Sequence, residues 1–128
     1  MSEQVAKQFI DALWALENSK DAEPLAGLYT EGAAIDNILA PNRFQGPDGA
    51  RKFWTDYRGT FEKAHSEFRT VTASETSAAL EWTTSGTSFN GTPFSYTGVT
   101  ILETDGEKVS RSSAYFDPSA LGRQLGVK

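Results

Sequence analysis

The feature that most constrains the fold is the last third of the chain, which has the pattern strand, tight turn, strand. Residues 98–116 form two β-rich runs separated by Asp105-Gly106. An Asp-Gly pair in such a position favours a hairpin, because both residues tolerate the positive φ that tight hairpin turns need. Asn90-Gly91 marks a second such turn upstream. The pattern therefore predicts four consecutive antiparallel strands at 65–74, 78–88, 94–103 and 108–116, followed by a short closing helix.

The first half of the chain has helical periodicity instead. Apolar residues from Val5 to Leu16 recur every three or four positions, which predicts an amphipathic helix. Asp21 is placed to cap a short second helix with Pro24 in its first turn, where a missing N–H is tolerated. Asp48 is predicted to cap a third helix, whose aromatic residues extend to Phe61.

Residues 33–39 predict a short strand between these helices, and residues 41–47 predict a loop. Helices followed by a run of strands are typical of an α+β fold. We expect a single domain of residues 1–128, in which a curved, mixed but mostly antiparallel sheet wraps around three N-terminal helices and leaves a central pocket.

Composition excludes several classes of function. The chain has 128 residues, no cysteine, one histidine and a net charge of −5. Its lysines and arginines are scattered, so we expect no nucleic-acid partner. No apolar run is long enough for a membrane helix and no basic leader precedes one, so we expect a cytoplasmic protein. A lone His65 and the lack of a glycine-rich phosphate loop predict neither a metal nor another cofactor.

Several short motifs occur together along the chain. They are Gly46-Pro47-Asp48-Gly49, Glu81-Trp82-Thr83-Thr84-Ser85-Gly86, Tyr96-Thr97-Gly98, Asp105-Gly106-Glu107-Lys108-Val109 and Tyr115-Phe116-Asp117-Pro118. In this order and spacing the chain resembles the SnoaL-like, or nuclear-transport-factor-2-like, superfamily over essentially its whole length. The resemblance implies a cone-shaped fold with a pocket, usually a homodimer through the outer face of the sheet. Ketosteroid isomerases, limonene epoxide hydrolases and polyketide cyclases belong to this superfamily.

The catalytic residues of these enzymes are mostly missing. The resemblance places Asn37, Leu13 and Gly98 at the three positions that ketosteroid isomerases use, and none of them matches. Asn37 does match the asparagine with which limonene epoxide hydrolases hold water, but Ala114 stands where their acidic base is expected. Asparagine cannot act as a base toward carbon, and leucine and glycine donate no side-chain hydrogen bond.

The remaining polar candidates are interpreted from their strand positions. If Glu81 faces inward, its carboxylate could act as an acid or base; the alternative is an outward Glu81 that pairs across strands or lies at a dimer interface. The Tyr96 hydroxyl could orient a ligand, although packing in the core would also account for this residue. Asp36 is predicted to be solvated, His65 to be exposed and Asp117 to cap the closing helix.

Two hypotheses about function follow. The first is a cofactor-independent isomerase, cyclase or hydrolase acting on a small hydrophobic or aromatic ligand, with Asn37, Glu81 and Tyr96 as its polar catalytic set. The second is a non-catalytic ligand-binding or dimerisation module. In both, the predicted ligand-binding residues are Trp14, Phe53, Tyr57 and Phe116.

Overall fold

The chain was analysed as a computed structural model, which describes residues 2–38 and 40–125. The helices are α1 (Ser2–Ser19), α2 (Glu23–Ala26), α3 (Gly46–Gly59) and α4 (Pro118–Leu125). The strands are β1 (Tyr29–Asn37), β2 (Ala40–Gln45), β3 (Lys63–Ala73), β4 (Ser77–Thr87), β5 (Pro93–Asp105) and β6 (Lys108–Phe116).

All six strands form one sheet in the order β2-β1-β6-β5-β4-β3. The β1–β6 pair is parallel and every other pair is antiparallel, because β1 enters the sheet from the helical half of the chain while β3 to β6 follow one another as hairpins. This confirms the predicted α+β fold with a mixed, mostly antiparallel sheet.

The two glycine turns are confirmed as hairpins, but their geometry differs from the prediction. Gly91 and Gly106 have φ values of 84° and 64°, whereas neither Asn90 nor Asp105 has a positive φ. Asp105 pairs with Lys108, so the loop residues are Gly106 and Glu107. A two-residue loop with glycine first is the arrangement of a type II′ turn, which needs a positive φ only at the glycine.

Two predictions around the third helix are wrong. The segment expected to be a loop contains β2, which pairs with β1 through Ile35 and Phe44 and forms an edge of the sheet, where proline is tolerated. Asp48 does not cap α3. The helix begins at Gly46, and Asp48 lies in its first turn, where its Oδ1 is 2.6 Å from Arg51 Nη1. The predicted strand end Leu39 lies outside the described residues.

The closing helix is capped as predicted. The Asp117 Oδ1 atom accepts hydrogen bonds from the backbone N–H groups of Ser119 at 2.9 Å and Ala120 at 3.3 Å. These two donors have no partner within the helix, so the cap stabilises its first turn. Asp117 therefore has a structural role.

The core consists of two apolar clusters on the inner face of the sheet. The larger packs α1, α2 and α3 against the sheet, and its largest fully buried residues are Phe9, Leu16, Leu25, Ile35, Leu80 and Leu102. The burial of each such side chain contributes roughly 1.5–3 kcal/mol. The smaller cluster is centred on Trp82 and Tyr96 and lies near α4. Residues of both clusters line a cavity that lies between them.

Candidate ligand-binding site

A cavity of about 280 Å³ opens between α1, α3, α4 and the inner face of the sheet. The described residues that line it are Phe9, Leu13, Asn37, Phe44, Phe53, Trp54, Asp56, Tyr57, Thr60, Phe61, Ser66, Trp82, Thr84, Tyr96, Thr100, Ala114, Phe116 and Leu121. Nine of these 18 residues are aromatic. A concave, mostly apolar lining with a few polar groups is characteristic of small-molecule sites.

Three rings from neighbouring strands form one wall of the cavity. The centroid of Tyr96 lies 5.3 Å from those of both Trp82 and Phe116, with interplanar angles of 83° and 66°. Trp82 and Phe116 are 6.3 Å apart and inclined by 54°. Edge-to-face contacts of this kind stabilise each ring by roughly 0.5–1.5 kcal/mol beyond its buried area. The wall is therefore rigid.

The Trp82 indole occupies a space that only glycine leaves open. A Cβ atom added to Gly98, which pairs with Trp82 across the β4–β5 ladder, would lie 2.7 Å from two ring carbons of the indole. The indole Nε1 donates a hydrogen bond of 2.9 Å to Thr100 Oγ1. The glycine at position 98 therefore allows the Trp82 ring to lie here. The ring occupies the space that a longer side chain at position 98 would need.

Three polar lining residues, Tyr57, Ser66 and Thr84, are linked by hydrogen bonds to the carboxylate of Glu17, which is 0% exposed and lies behind the cavity lining. Glu17 Oε1 accepts the Ser66 backbone N–H at 2.8 Å, and Oε2 accepts the Ser66 hydroxyl at 2.6 Å. The Tyr57 hydroxyl donates to Oε2 at 3.4 Å. Ser66 Oγ is also 2.6 Å from Thr84 Oγ1. Since Ser66 gives its proton to Glu17, Thr84 donates to Ser66.

The two tyrosines of the cavity stay protonated far above neutral pH. Burial, followed by the proximity of Tyr96 and Glu17, raises the pKa of Tyr57 well above its usual value. Burial, followed by the Glu17 carboxylate, also raises the pKa of Tyr96, whose hydroxyl interacts with that of Tyr57. A neutral phenol is both a donor and an acceptor. The hydroxyls of Tyr96 and Tyr57 therefore connect the cavity to the buried carboxylate.

Arg58 and His65 complete the surroundings of Glu17. Arg58 is buried and donates to the backbone carbonyls of Glu17 at 3.0 Å, Phe61 at 2.8 Å and Glu62 at 3.2 Å. These bonds join the end of α1 to the segment between α3 and β3. His65 Nδ1 is 3.9 Å from Glu17 Oε1, while its Nε2 contacts Glu67. His65 is half exposed, as expected from the sequence.

Five of the seven residues predicted to form the site line the cavity. They are Asn37, Phe53, Tyr57, Tyr96 and Phe116. Tyr57, Phe53 and Phe116 were expected as ligand contacts, and Asn37 and Tyr96 as polar groups. Asn37 points inward because it follows Ala33 and Ile35 on the buried face of β1.

Glu81 and Trp14 lie elsewhere, and their assignments are corrected. Glu81 is exposed on the outer face of β4, because Leu80 and Trp82 on either side of it point inward. Trp14 faces β3, where its Nε1 donates to the Ser66 carbonyl at 2.8 Å and its ring stacks on His65 at a centroid distance of 6.2 Å. Neither side chain lines the cavity. Asp36 is partly exposed and accepts a 2.6 Å hydrogen bond from Ser113.

Glu17 is not among the predicted site residues, although the sequence contains a signal for it. Glu17 lies four residues after Leu13 and eight after Phe9, on the apolar stripe of α1. A carboxylate on that stripe is predicted to be buried, and a buried carboxylate needs hydrogen-bond partners. Ser66 and Thr84 gave no comparable signal, because serine and threonine are common on both faces of strands.

The described residues contain no group of three or more His, Asp or Glu side chains that could hold a metal ion. None of the helices in the described part of the chain is long and apolar enough to cross a membrane.

Comparisons with solved structures show similar folds across nearly the whole chain. A ketosteroid isomerase-like protein from Catenulispora acidiphila, solved in complex with trimethylamine, superimposes with a TM-score of 0.84 at 16% identity, covering 98% of this chain and 94% of that one. A putative isomerase from Rhodopseudomonas palustris has a TM-score of 0.82 at 18% identity, with coverage of 98% and 99%. An epoxide hydrolase of the limonene type from M. tuberculosis has a TM-score of 0.71 at 15% identity, with coverage of 95% and 86%.

At these identities the structural similarities establish the fold and not the activity. None of the curated proteins compared with the chain matches it. The sequence model of the SnoaL-like domain matches residues 6–112, which is most of the chain. The chain therefore belongs to the SnoaL-like domain family.

Proposed function

We propose that the protein binds a small, largely hydrophobic or aromatic molecule in the cavity between its helices and sheet. The observation that carries this proposal is the lining itself: a volume of about 280 Å³, half of whose lining residues are aromatic, together with a few hydroxyl groups. An apolar cavity of this size has no structural use, because filling it would stabilise the fold.

The hydroxyl groups give the ligand its orientation. Tyr57 and Tyr96 extend from α3 and β5 toward the same carboxylate, so a polar group on the ligand would find two phenol hydroxyls close together. Among the similar structures, one was solved in complex with trimethylamine and another is an epoxide hydrolase, which supports a small-molecule role for a protein of this fold.

A second candidate is a cofactor-independent isomerase, cyclase or hydrolase. The observation that favours it is that the side chain of Asn37 and the protonated phenol of Tyr96 reach the same cavity, where they could donate hydrogen bonds to an oxygen that gains negative charge. Neither Glu81 nor Asp36 is a catalytic residue in this enzymatic alternative, because neither lines the cavity. Asp56 is the carboxylate residue among the described lining residues, and it is exposed and 3.1 Å from Lys52 Nζ.

Binding can be tested without knowing the natural ligand. Toluene and 2-naphthol serve as probes, and backbone amide chemical shifts measured by NMR report where they bind. We expect shifts in the amides of Thr100, Ala114 and Phe116, which belong to cavity-lining residues. The proposal fails if saturating probe shifts no amide, or if the shifts map to the outer face of the sheet.

A matched pair of variants links these shifts to the cavity. Ala114→Leu adds three carbons to a lining residue, and the free volume accommodates them, so the variant should fold and lose probe binding. Ala73→Leu makes the same change at an exposed position on β3 and should leave binding unchanged. If both variants bind the probes as the parent protein does, the cavity is not the site.

A further inference from the structure

We infer that the ligand of this cavity is a compact organic cation, such as a tertiary or quaternary ammonium ion with small alkyl groups. The inference rests on the proposed function, since it names the chemical class of the molecule that the same cavity binds. Two features of the described residues support it, a buried carboxylate and a wall of inclined rings, and the net charge of the chain agrees with them.

The carboxylate of Glu17 carries a charge that the protein does not neutralise with a dedicated ion pair. Both of its oxygens already accept hydrogen bonds from N–H and O–H donors, which is the pattern of an ionised carboxylate. Arg58 gives its N–H groups to three backbone carbonyls, and no lysine or arginine within the described ranges forms an ion pair with Glu17.

His65 is the nearest basic side chain, and it does not cancel this charge. Its ring lies between two carboxylates, with Nδ1 3.9 Å from Glu17 and Nε2 in contact with Glu67. Even a protonated imidazole would leave one negative charge on this group of three side chains. The ring is also half exposed and stacks on Trp14, outside the cavity lining.

The hydroxyls of Tyr57, Ser66 and Thr84 transmit this negative potential into the cavity. Tyr57 donates toward Glu17, and Thr84 donates toward Ser66, which donates toward Glu17. The hydrogens of Tyr57 and Ser66 therefore point toward Glu17, and the Tyr57 oxygen faces the hydroxyl of Tyr96, which also lines the cavity. Such an arrangement disfavours an anion and favours a positively charged group.

The aromatic wall suits the same kind of ligand. Trp82, Tyr96 and Phe116 all line the cavity and are inclined to one another by 54° to 83°, so their ring planes have different orientations around it. The negative face of an aromatic ring attracts an alkylated ammonium group, and the attraction grows when water is excluded. A neutral hydrocarbon would gain only the burial of its surface.

The overall charge of the protein has the same sign as the buried carboxylate. The chain carries a net charge of −5, which raises the local concentration of cations. Asp56, the acidic residue in the described lining, pairs with Lys52 at 3.1 Å and adds no net charge there.

The test compares choline with its neutral isostere, 3,3-dimethylbutan-1-ol, in isothermal titration calorimetry. The two molecules have the same shape and number of heavy atoms and differ in charge. We expect choline to bind at least about tenfold more tightly, the ratio that a desolvated cation–aromatic contact gives. Methyl protons of bound choline should move upfield in NMR spectra, since ring currents shield nuclei above aromatic faces.

Two charge-neutralising variants test whether the Glu17 carboxylate causes the preference for choline over the alcohol. Glu17→Gln should remove most of the preference for choline over the alcohol, because it removes the charge and keeps an acceptor. Glu81→Gln removes the same charge from the outer face of the sheet and should change neither affinity. If Glu17→Gln does not fold, the parent protein still tests the inference, through the ratio of its affinities for choline and the alcohol and through the shifts of the choline methyl protons.

The outcomes separate this inference from the proposal beneath it. Equal binding of both probes, or tighter binding of the alcohol, overturns the cation inference and leaves small-molecule binding intact. An unchanged preference in a folded Glu17→Gln protein overturns the role of the buried carboxylate. If choline, the alcohol, toluene and 2-naphthol all fail to bind, the proposed function fails as well.

Discussion

Replacing Gly98 by alanine should destabilise the protein strongly, although it adds a single methyl group. The new Cβ atom would lie 2.7 Å from two carbons of the Trp82 ring and 2.5 Å from the Tyr115 carbonyl oxygen. Both contacts are well inside van der Waals distance, and the second involves backbone. Overpacking of this kind costs about 1–3 kcal/mol in ordinary cores. With rigid partners on two sides, we expect about 3 kcal/mol.

Urea denaturation followed by circular dichroism measures this cost, and a double-mutant cycle divides it between the two contacts. In a Trp82→Phe background the two ring carbons are absent, so Gly98→Ala should cost about 1–2 kcal/mol less than in the parent protein. Part of the destabilisation by Gly98→Ala should remain in this background, since the contact with the Tyr115 carbonyl remains.

Gly59→Ala is the matched control for this experiment. Gly59 ends α3, and a Cβ atom placed there meets no atom within 4 Å. The same substitution should therefore be neutral or stabilise the protein by up to about 1 kcal/mol. The reasoning is refuted if Gly98→Ala costs no more than Gly59→Ala, or if the cycle shows no coupling with Trp82.

Two further predictions concern pH and assembly. Burial raises the pKa of Tyr29 to about 12, and its hydroxyl forms hydrogen bonds with Ser112 and Trp54. The pKa of Tyr29 is therefore higher in the folded than in the unfolded protein. Its neutral hydroxyl contributes fully to stability below about pH 10, and this contribution is lost as the pH rises toward 12. Urea titrations across this window should show a fall that is shallower in Tyr29→Phe; an equal slope in both proteins would contradict it. We also propose that the outer face of the sheet forms a homodimer, since Tyr115 is 45% exposed beside the partly buried Val99 and Ile101. Light scattering at micromolar concentration should give twice the chain mass for the parent protein and the monomer mass for Ile101→Lys, and a monomeric parent would refute the proposal.

Local signals predicted most of the fold because each depends on neighbouring residues. Alternation by two identified β3 to β6, and glycines at the turns identified their connections. The strand β2 was missed because it depends on a distant partner: it exists as a short edge paired with β1, and a segment containing Pro41 gives no local evidence of that pairing.

The inward direction of β4 could not be read from its sequence. Glu81 lies between Leu80 and Trp82, while Ala79 and Thr83 share its own face, so both faces of the strand contain residues that tolerate burial. The direction is set by the large residues Leu80 and Trp82, which gain more from burial than Ala79 and Thr83 do. Size, and not the mean polarity of each face, is the signal that would have placed Glu81 outside.

The Trp82–Gly98 contact explains why the polar groups of this site lie where they do. The resemblance places Gly98 where ketosteroid isomerases have an acid on the sheet, and here the indole fills that space. An acidic side chain at position 98 would meet the ring and the Tyr115 carbonyl before it reached the cavity. The carboxylate of this protein comes instead from the end of α1, and it acts on the cavity through Tyr57 and Ser66. A group that reaches the ligand only through hydroxyls is better suited to setting the potential and orienting donors than to taking a proton from carbon. This geometry is why ligand binding, and not acid–base catalysis, is the function we place first.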